Sequence, residues 1–103
     1  MWSFGYGDCG ILGHGNTSNV STPKEIRYFK DKKIKIIFCE GGDSHSAVIS
    51  DANQLFMFGR GDSGELGPQT SKETNSTPIQ INAFKDMKVK KVVLGNRSSF
   101  VIV

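Results

Sequence analysis

The apolar positions of this chain fall in short runs that are separated by turn-forming residues. The runs "SAVIS" (46–50) and "LFMFG" (55–59) flank the tetrapeptide 51–54, "DANQ", whose length and composition favour a β-hairpin. No segment keeps a 3.6-residue apolar period between helix caps, so helix is expected to be scarce or absent. The chain is therefore expected to be all-β. Further strands are predicted at "MWSF" (1–4), "KIKIIFC" (33–39), "PIQI" (78–81, with Pro78 as the first strand residue), "VKKVVL" (89–94) and "SFVIV" (99–103).

The same unit is written twice along the chain. "FGYGDCGILG" at 4–13 recurs as "FGRGDSGELG" at 58–67, a displacement of 54 residues. Further landmarks follow in the same order: Thr22-Pro23 recurs as Thr77-Pro78, "FKDKKIKII" as "FKDMKVKKV", and "GDSHSAVI" as "GNRSSFVI". We therefore divide the chain into repeat units at approximately 1–54 and 55–103, which together form a single partial module over 1–103. An all-β unit of this length, with about four strands, has the dimensions of one β-propeller blade.

The order "FGxGDxGxLG", Thr-Pro, strand, "GxxHSAVI" and hairpin resembles the regulator of chromosome condensation repeat. The resemblance covers essentially the whole chain, in two copies. It implies two blades of a β-propeller, each with about four antiparallel strands, in a ring that two blades do not complete. The second copy departs from the first at two places: Pro68-Gln69 replaces His14-Gly15, and Ser98 stands in place of His45.

The resemblance implies two functions. The first is a non-enzymatic propeller segment that serves as a protein-protein interaction scaffold, with its contacts in loops such as "HGNTSNVST" (14–22) and "PQTSKETNST" (68–77). The alternative is part of a guanine-nucleotide exchange factor for a Ran-type small GTPase, with chromatin association. In that case exchange activity is expected only within a larger propeller, and a small GTPase is the partner.

The glycine-rich stretches have two possible interpretations, a phosphate cradle or a set of backbone turns. A phosphate-binding loop leads into a helix and brings a Lys-Ser/Thr pair or a ribose-binding acid, and neither follows Gly13 or Gly67. Because the stretch occurs in both units, we predict that it shapes each blade. The predicted turn-motif residues are Gly5, Gly7, Asp8, Gly10, Leu12 and Gly13 in the first unit and Gly59, Gly61, Asp62, Gly64, Leu66 and Gly67 in the second.

The remaining candidate residues favour structural roles. His45 precedes an apolar strand and has no sequence neighbour that would act as nucleophile or metal ligand, so we expect a structural histidine. Asp8 and Asp62 are expected to accept hydrogen bonds from the backbone amides of their own turns. Trp2 is expected to pack between blades or to anchor a partner at the rim. Cys9 and Cys39 fit no metal-ligand spacing and are expected to be reduced thiols. We therefore predict no catalytic, cofactor or metal site, no cofactor and no enzymatic activity.

Lysines cluster at matching positions in the two units and are expected to lie on one rim of the propeller. They are either a solvated surface or a contact for an acidic protein or for nucleic-acid phosphate. The net charge of +3 is mild and few aromatic residues interleave with these lysines, so nucleic acid or chromatin is not expected as a partner of this segment alone. The candidate partner contacts are Lys32, Lys33, Lys35, Lys88, Lys90 and Lys91.

Composition places the chain among soluble globular proteins, with 37% hydrophobic and 22% charged residues. The first residues lack the basic and apolar regions of a signal peptide, so an intracellular protein, cytoplasmic or nuclear and without a membrane association, is expected. "MWSF" and "SFVIV" each correspond to half of a hairpin. Either further blades in a longer chain or other copies of this chain are expected to pair with them.

Overall fold

The computed structural model describes residues 1–67 and 74–103. In these ranges, eight short strands alternate with loops, and the one α-helix has five residues. Two 3₁₀ turns, Asp8–Gly10 and Asn82–Phe84, complete the regular structure. The strands are β1 Trp2–Gly5, β2 Val20–Glu25, β3 Ile36–Gly41, β4 His45–Ser50, β5 Leu55–Gly59, β6 Asn75–Gln80, β7 Lys91–Leu94 and β8 Ser99–Ile102, and the helix is α1 Arg27–Asp31.

The strands form three antiparallel sheets. The central sheet has the order β3-β4-β5-β6, and it is flanked by the two-stranded sheets β1-β2 and β7-β8. The central sheet is a complete blade, and each two-stranded sheet is one half of a neighbouring blade. The prediction of an all-β chain with antiparallel propeller blades is confirmed, and the sheets do not close into a ring.

The hairpin between β4 and β5 has the predicted position. Five residue pairs align the strands, from His45 opposite Gly59 to Ile49 opposite Leu55. Asn53 adopts a left-handed φ of 60°, and its N–H donates to the carbonyl of Ser50 at 2.9 Å. Asparagine tolerates this conformation better than most residues, which explains why the "DANQ" tetrapeptide turns here.

The prediction for Pro78 was wrong. Strand β6 begins at Asn75, so Pro78 lies inside the strand. The register of β5 and β6 shifts between Met57 and Gly59, so that the stretch from Asn75 to Ile79 holds extra residues. A bulge on an edge strand accommodates a proline because no ladder hydrogen bond is needed from its nitrogen.

The central sheet is buried on both faces. On one face Ala47 and Met57 pack with Leu66 and Val92, and on the other Val48 and Phe58 pack with residues that precede the sheet. All five residues of β5 are buried, which explains why its sequence is continuously apolar.

An aromatic cluster closes the second face of the central sheet. It contains Ile26, Phe29, Phe56 and the half-buried Tyr28. The rings of Phe29 and Phe56 meet edge to face, with centroids 5.6 Å apart.

The segment "RYFKD" forms α1, a single helical turn whose one buried side chain is Phe29. Lys32 and Lys33 therefore follow a helix, and the strand predicted at 33–39 begins only at Ile36. None of the helices in the described ranges is long and apolar enough to cross a membrane.

Candidate functional site: the blade junctions and the basic edge

Each glycine-rich loop begins at the end of a strand, β1 for the first loop and β5 for the second, and turns back on itself. Gly10 N donates to the carbonyl of Gly7 at 3.1 Å, and Gly13 N donates to that of Gly10 at 3.1 Å; the second loop repeats both bonds. These amides are therefore engaged within the loop, and an anion would have to compete with them. Positive φ angles occur at three equivalent pairs, Gly5 and Gly59, Gly10 and Gly64, and Gly13 and Gly67.

The first glycine-rich loop lies directly against the central blade. A Cβ atom at Gly10 would lie 2.5 Å from Cα of Ser76 in β6, a separation that real Cβ atoms do not adopt. Gly15 N also donates to the carbonyl of Ser76 at 2.9 Å. The side chains of Leu12 and Leu66 are buried in the two loops. The loop thus joins one blade to the outer strand of the next.

A serine hydroxyl ties each inner strand to the preceding glycine-rich loop. Ser46 Oγ donates to the carbonyl of Ile11 at 2.8 Å, and Ser99 Oγ donates to the carbonyl of Glu65 at 2.7 Å. Both the donors and the acceptors occupy equivalent positions in the two units. These serines were not predicted as site residues, although their recurrence after position 45 and position 98 was a signal that could have found them.

His45 lies at the junction of the central blade with the β7-β8 half-blade and is fully buried. Its Nε2 atom is 3.2 Å from the carbonyl oxygen of Ser98 and 3.0 Å from Ser99 Oγ. Because that carbonyl only accepts and the Ser99 hydroxyl proton points to Glu65, Nε2 carries the proton and donates. Nδ1 is then unprotonated, and it has no hydrogen-bond partner among the described residues.

The electrostatics of His45 favour its neutral form. Burial lowers the pKa of His45 below its ordinary value, and the Ser98 carbonyl together with the charges of Glu65 and Asp43 opposes this shift only in part. Ser99 and His45 do not have the arrangement of a nucleophile and its general base. A general base accepts the proton of the nucleophile, whereas the imidazole of His45 donates to the Ser99 hydroxyl, and that hydroxyl donates to the carbonyl of Glu65. The geometry of the pair is that of a structural connection between blades.

Asp8 and Asp62 each accept a hydrogen bond from a side chain two residues earlier in the chain. That both carboxylates accept from the amides of their own turns stays a prediction. Asp8 Oδ2 accepts from the hydroxyl of Tyr6 at 3.2 Å. Asp62 forms a bidentate pair with Arg60, with Nε to Oδ1 at 2.6 Å and Nη2 to Oδ2 at 2.9 Å. The hydrogen bond from Arg60 lowers the pKa of Asp62, and a backbone hydrogen bond also lowers it. Two further side chains cap turn amides: Asn19 Oδ1 accepts from Gly7 N, and Glu65 Oε1 accepts from Ser63 N.

The predicted lysine contacts lie on both sides of the β4-β5 hairpin turn. Asp51 N donates to the carbonyl of Lys35 at 2.9 Å, and Val89 N donates to the carbonyl of Asn53 at 3.0 Å. The two lysine segments are therefore held against one turn, and all six side chains are exposed. We call this set, Lys32, Lys33, Lys35, Lys88, Lys90 and Lys91, the basic edge.

In the two segments that carry the basic edge, lysines outnumber acidic residues. The stretches 30–35 and 85–91 contain eight lysines and two aspartates. Lys30 pairs with Glu25 at 3.3 Å, and the ammonium of Lys32 lies 5.2 Å from the ring centre of Tyr28. The two segments thus place an excess of positive charge on either side of one hairpin turn, whose only acidic residue is Asp51.

Other predicted features have less defined surroundings. Trp2 is 60% exposed on β1, so the expectation that it packs between blades is not met by the described residues, and its exposure fits the alternative of a rim contact. Cys9 and Cys39 are free thiols. No group of metal-ligating side chains occurs in the described ranges. Loop 14–22 is mostly exposed, whereas residues 68–73 of the second predicted rim loop lie outside the described residues.

Comparison with known sequences agrees with this geometry. The model of the regulator of chromosome condensation (RCC1) repeat matches residues 1–49 and 53–102. The chain belongs to the RCC1 repeat family.

Relatives with RCC1 repeats include proteins of different kinds. The chain is 37% identical over 95 residues to the ultraviolet-B receptor UVR8 of Arabidopsis thaliana, covering 92% of this chain and 21% of UVR8. It is 35% identical over 98 residues to the human E3 ubiquitin-protein ligase HERC2, covering 93% of this chain and 2% of HERC2. The chain therefore spans about a fifth or less of these relatives.

Solved structures share the fold. Prp20p of Saccharomyces cerevisiae, in a structure reported with its binding properties to Gsp1p and histones, superposes with a TM-score of 0.85 at 24% identity over 98% of this chain and 25% of Prp20p. Human WBSCR16 superposes with a TM-score of 0.81 at 19% identity, with the same coverage. Because both identities are below 25%, these likenesses show the propeller fold alone.

Proposed function

We propose that the chain is a non-enzymatic propeller segment that acts as a protein-protein interaction scaffold inside the cell, in the cytoplasm or nucleus. The observation that carries the proposal is the basic edge, where two lysine segments are fixed to one hairpin turn. The partner would be a protein that presents an acidic surface. In this proposal the glycine-rich loops and their buried leucines position the blades and bind no ligand.

The physical basis of the proposed contact is electrostatic complementarity. Exposed lysines gain little from a single ion pair in water, but several charges on one rigid surface steer an acidic partner and fix its orientation. Such binding weakens as salt rises, since the Debye length falls from about 30 Å at 0.01 M to about 10 Å at 0.1 M ionic strength.

Charge reversal at the basic edge tests the proposal. The probe is a fluorescent poly-glutamate peptide, measured by anisotropy at low and moderate salt. We expect Lys35→Glu and Lys90→Glu each to weaken binding several-fold, and the double variant to weaken it further. Arg97→Glu is the matched control, because Arg97 is also exposed but lies in the turn at the other end of β7. Equal losses in all variants, or none in any, would refute a role for this edge.

A second candidate function is a part of an exchange factor for a Ran-type small GTPase. It is favoured by the superposition on Prp20p, whose structure is reported with its binding to Gsp1p and histones. This activity would need a larger propeller, because the chain spans only a quarter of Prp20p. A nucleotide-release assay with a Ran-type GTPase and the longest chain that contains these repeats tests it. Release that stays at the intrinsic rate at saturating protein would exclude the exchange function and leave the scaffold proposal intact.

A further inference from the structure

A cavity of about 230 Å³ opens between the β1-β2 half-blade and the outer strand β6 of the central blade. Its walls come from the end of the first glycine-rich loop, β2, α1 and β6, and neither β1 nor β8 contributes to them. We call it the seam pocket. The side chains that line it are those of His14, Lys24, Arg27, Tyr28 and Thr77.

The walls of the seam pocket carry positive charge and no carboxylate. Lys24 and Arg27 are both exposed to solvent. Among the described residues, neither of them takes part in an ion pair. The pocket therefore brings together two cations whose charge is available to an anionic ligand.

His14 and Lys24 are placed on the same side of the half-blade by Ser3. Ser3 stands opposite Lys24 in the β1-β2 pair, so the two side chains share one face of the sheet. Ser3 Oγ donates to the carbonyl of Leu12 at 2.7 Å and lies 2.9 Å from His14 Nε2. Because the hydroxyl proton points to Leu12, His14 Nε2 carries a proton and donates to Ser3. The imidazole is thus fixed as one wall of the pocket.

Two hydroxyl groups line the pocket beside the cations. The ring of Tyr28 is held edge to face by Phe29 and Phe56, with centroids 5.4 Å and 6.2 Å away. On the opposite wall, a Cβ atom at Gly15 would lie 3.7 Å from Thr77 Oγ1, so this hydroxyl reaches the loop. Phenol and threonine hydroxyls both donate hydrogen bonds. The pocket therefore offers neutral donors as well as charged ones.

The backbone around the pocket contributes no free donor from the loop. Gly13 N donates to the carbonyl of Gly10, and Gly15 N donates to the carbonyl of Ser76. Any ligand of the seam pocket must therefore be bound by side chains, and the glycine-rich loop serves only as a wall.

The second repeat shows that the blade does not require these polar side chains. Its counterparts of the apolar residues Ile26 and Phe29 are again isoleucine and phenylalanine, Ile81 and Phe84. The residues that line the pocket change instead: His14 is replaced by Pro68, Lys24 by Ile79, Arg27 by Asn82 and Tyr28 by Ala83. The apolar positions follow the fold, whereas the polar ones are specific to the first junction. Such a set gathered around one cavity indicates a ligand.

We propose that the seam pocket binds the phosphate group of a phosphate monoester. Such a group carries a charge of about −1.5 to −2 at pH 7 and three acceptor oxygens. The two cations match its charge, and the two hydroxyls supply further donors. The guanidinium of Arg27 is suited to bind two of the oxygens at once. A carboxylate has one negative charge and two coplanar oxygens, so it would satisfy fewer of these donors.

The size of the pocket limits what enters it. Its volume of about 230 Å³ is below the roughly 300–1,000 Å³ of pockets that enclose a whole drug-sized ligand. The phosphate and its first attached atoms would therefore lie inside, and the rest of the molecule outside. No residue of the basic edge lines the pocket, so this site is separate from the proposed scaffold contact.

Peptide binding to the full chain tests the proposal. The probe is a short, uncharged glycine-serine peptide with a fluorescent label, in its phosphorylated and unphosphorylated forms, measured by anisotropy. We expect the phosphorylated form to bind about tenfold more tightly or better, because charge-assisted hydrogen bonds form only with the phosphate. Competition with inorganic phosphate identifies the source of the group. Displacement at concentrations near the Kd of the peptide assigns the pocket to small phosphates, whereas displacement only at much higher concentrations assigns it to a phosphorylated protein.

Substitutions taken from the second repeat test the residues. Lys24→Ile and Arg27→Asn introduce side chains that the blade already holds at these positions, and circular dichroism would verify folding. Each should weaken binding of the phosphorylated peptide about tenfold, because a charge-assisted hydrogen bond is lost. Arg27→Lys keeps the charge but not the paired donors, so its loss should be smaller than that of Arg27→Asn. Lys85→Asn is the matched control, because Lys85 is exposed and lies outside the pocket.

Three results would overturn the proposal. The first is equal binding of the phosphorylated and unphosphorylated peptides. The second is unchanged binding in both Lys24→Ile and Arg27→Asn. The third is a loss in Lys85→Asn as large as in these variants, since that would show a general attraction of charge. None of these results bears on the basic edge, which Lys35→Glu and Lys90→Glu test with a different probe.

Discussion

The imidazole of His45 donates its Nε2 proton to the backbone carbonyl of Ser98, the residue that holds the position of His45 in the second repeat. The bond is 3.2 Å long and joins the central blade to the next half-blade. The first repeat thus donates a side-chain hydrogen bond to the main chain of the second repeat, at the equivalent position. The serine in the second repeat offers no ring that would extend this connection to a further blade.

The stability of the chain should depend on pH through His45. Since burial lowers the pKa of His45 in the folded state, the unfolded chain binds more protons, and stability rises with pH. The contribution is fully present above the ordinary histidine value of about 6.5 and is lost as pH falls from there toward the lowered pKa. Urea unfolding between pH 5 and 8 at one protein concentration would measure it. His45→Gln should flatten this part of the profile, and an unchanged slope would contradict the assignment.

The hydrogen bonds of His45 and Ser99 should be energetically coupled. Ser99 Oγ accepts from His45 and donates to the carbonyl of Glu65, so Ser99→Ala removes two bonds at once. We expect each single substitution, Ser99→Ala or His45→Gln, to cost about 1–3 kcal/mol, because buried polar groups lose a partner. A double-mutant cycle measured by denaturant unfolding should show a coupling of about 0.5 kcal/mol or more. Additive effects would mean that the two side chains act independently.

Gly10 and Gly64 separate the effect of backbone conformation from that of close packing. Both have left-handed φ angles, 74° and 82°, but a Cβ at Gly10 would meet Ser76 whereas one at Gly64 would have no neighbour within 4 Å. Gly64→Ala should therefore cost only the conformational term, about 1–2 kcal/mol. Gly10→Ala should cost clearly more, because β6 must move. Equal losses of unfolding free energy would show that the approach of the loop to β6 is unimportant.

Phe29 and Phe84 are repeat counterparts with different burial. Phe29 is 1% exposed beneath the rings of Tyr28 and Phe56, whereas Phe84 is half-buried beside an apolar cavity. Phe29→Ala should cost about 3–5 kcal/mol, because it leaves a cavity in the packed junction. Phe84→Ala should cost less, because Phe84 is only half-buried beside an open cavity. Urea unfolding of both variants would measure the difference, and equal losses of unfolding free energy would contradict it.

The strands and the central hairpin were predictable because their apolar runs are short and their turns carry suitable residues. Leu55–Gly59 and His45–Ser50 lie within one residue of the sequence prediction. The helix at Arg27–Asp31 was not predictable from the sequence, because a single helical turn without a side-chain cap is too short to show a 3.6-residue apolar period. The position of Pro78 inside β6 was misassigned because it depends on a bulge that forms only when β6 pairs with β5.

The contacts of the site were harder to predict than its elements. The bidentate pair of Arg60 and Asp62 depends on side-chain rotamers that a two-residue spacing does not specify. The donor role of His45 depends on a carbonyl 53 residues away. The positions of the lysines were visible in the sequence, but their common support on the β4-β5 turn required tertiary hydrogen bonds.

The sheets are offset from the sequence repeats, since the central blade takes β3 and β4 from the first unit and β5 and β6 from the second. A single unit therefore contains no complete sheet, and excision of either one would leave two unmatched strand pairs. Duplication has the opposite effect: each inserted unit adds one complete sheet, with two strands from each of two successive repeats.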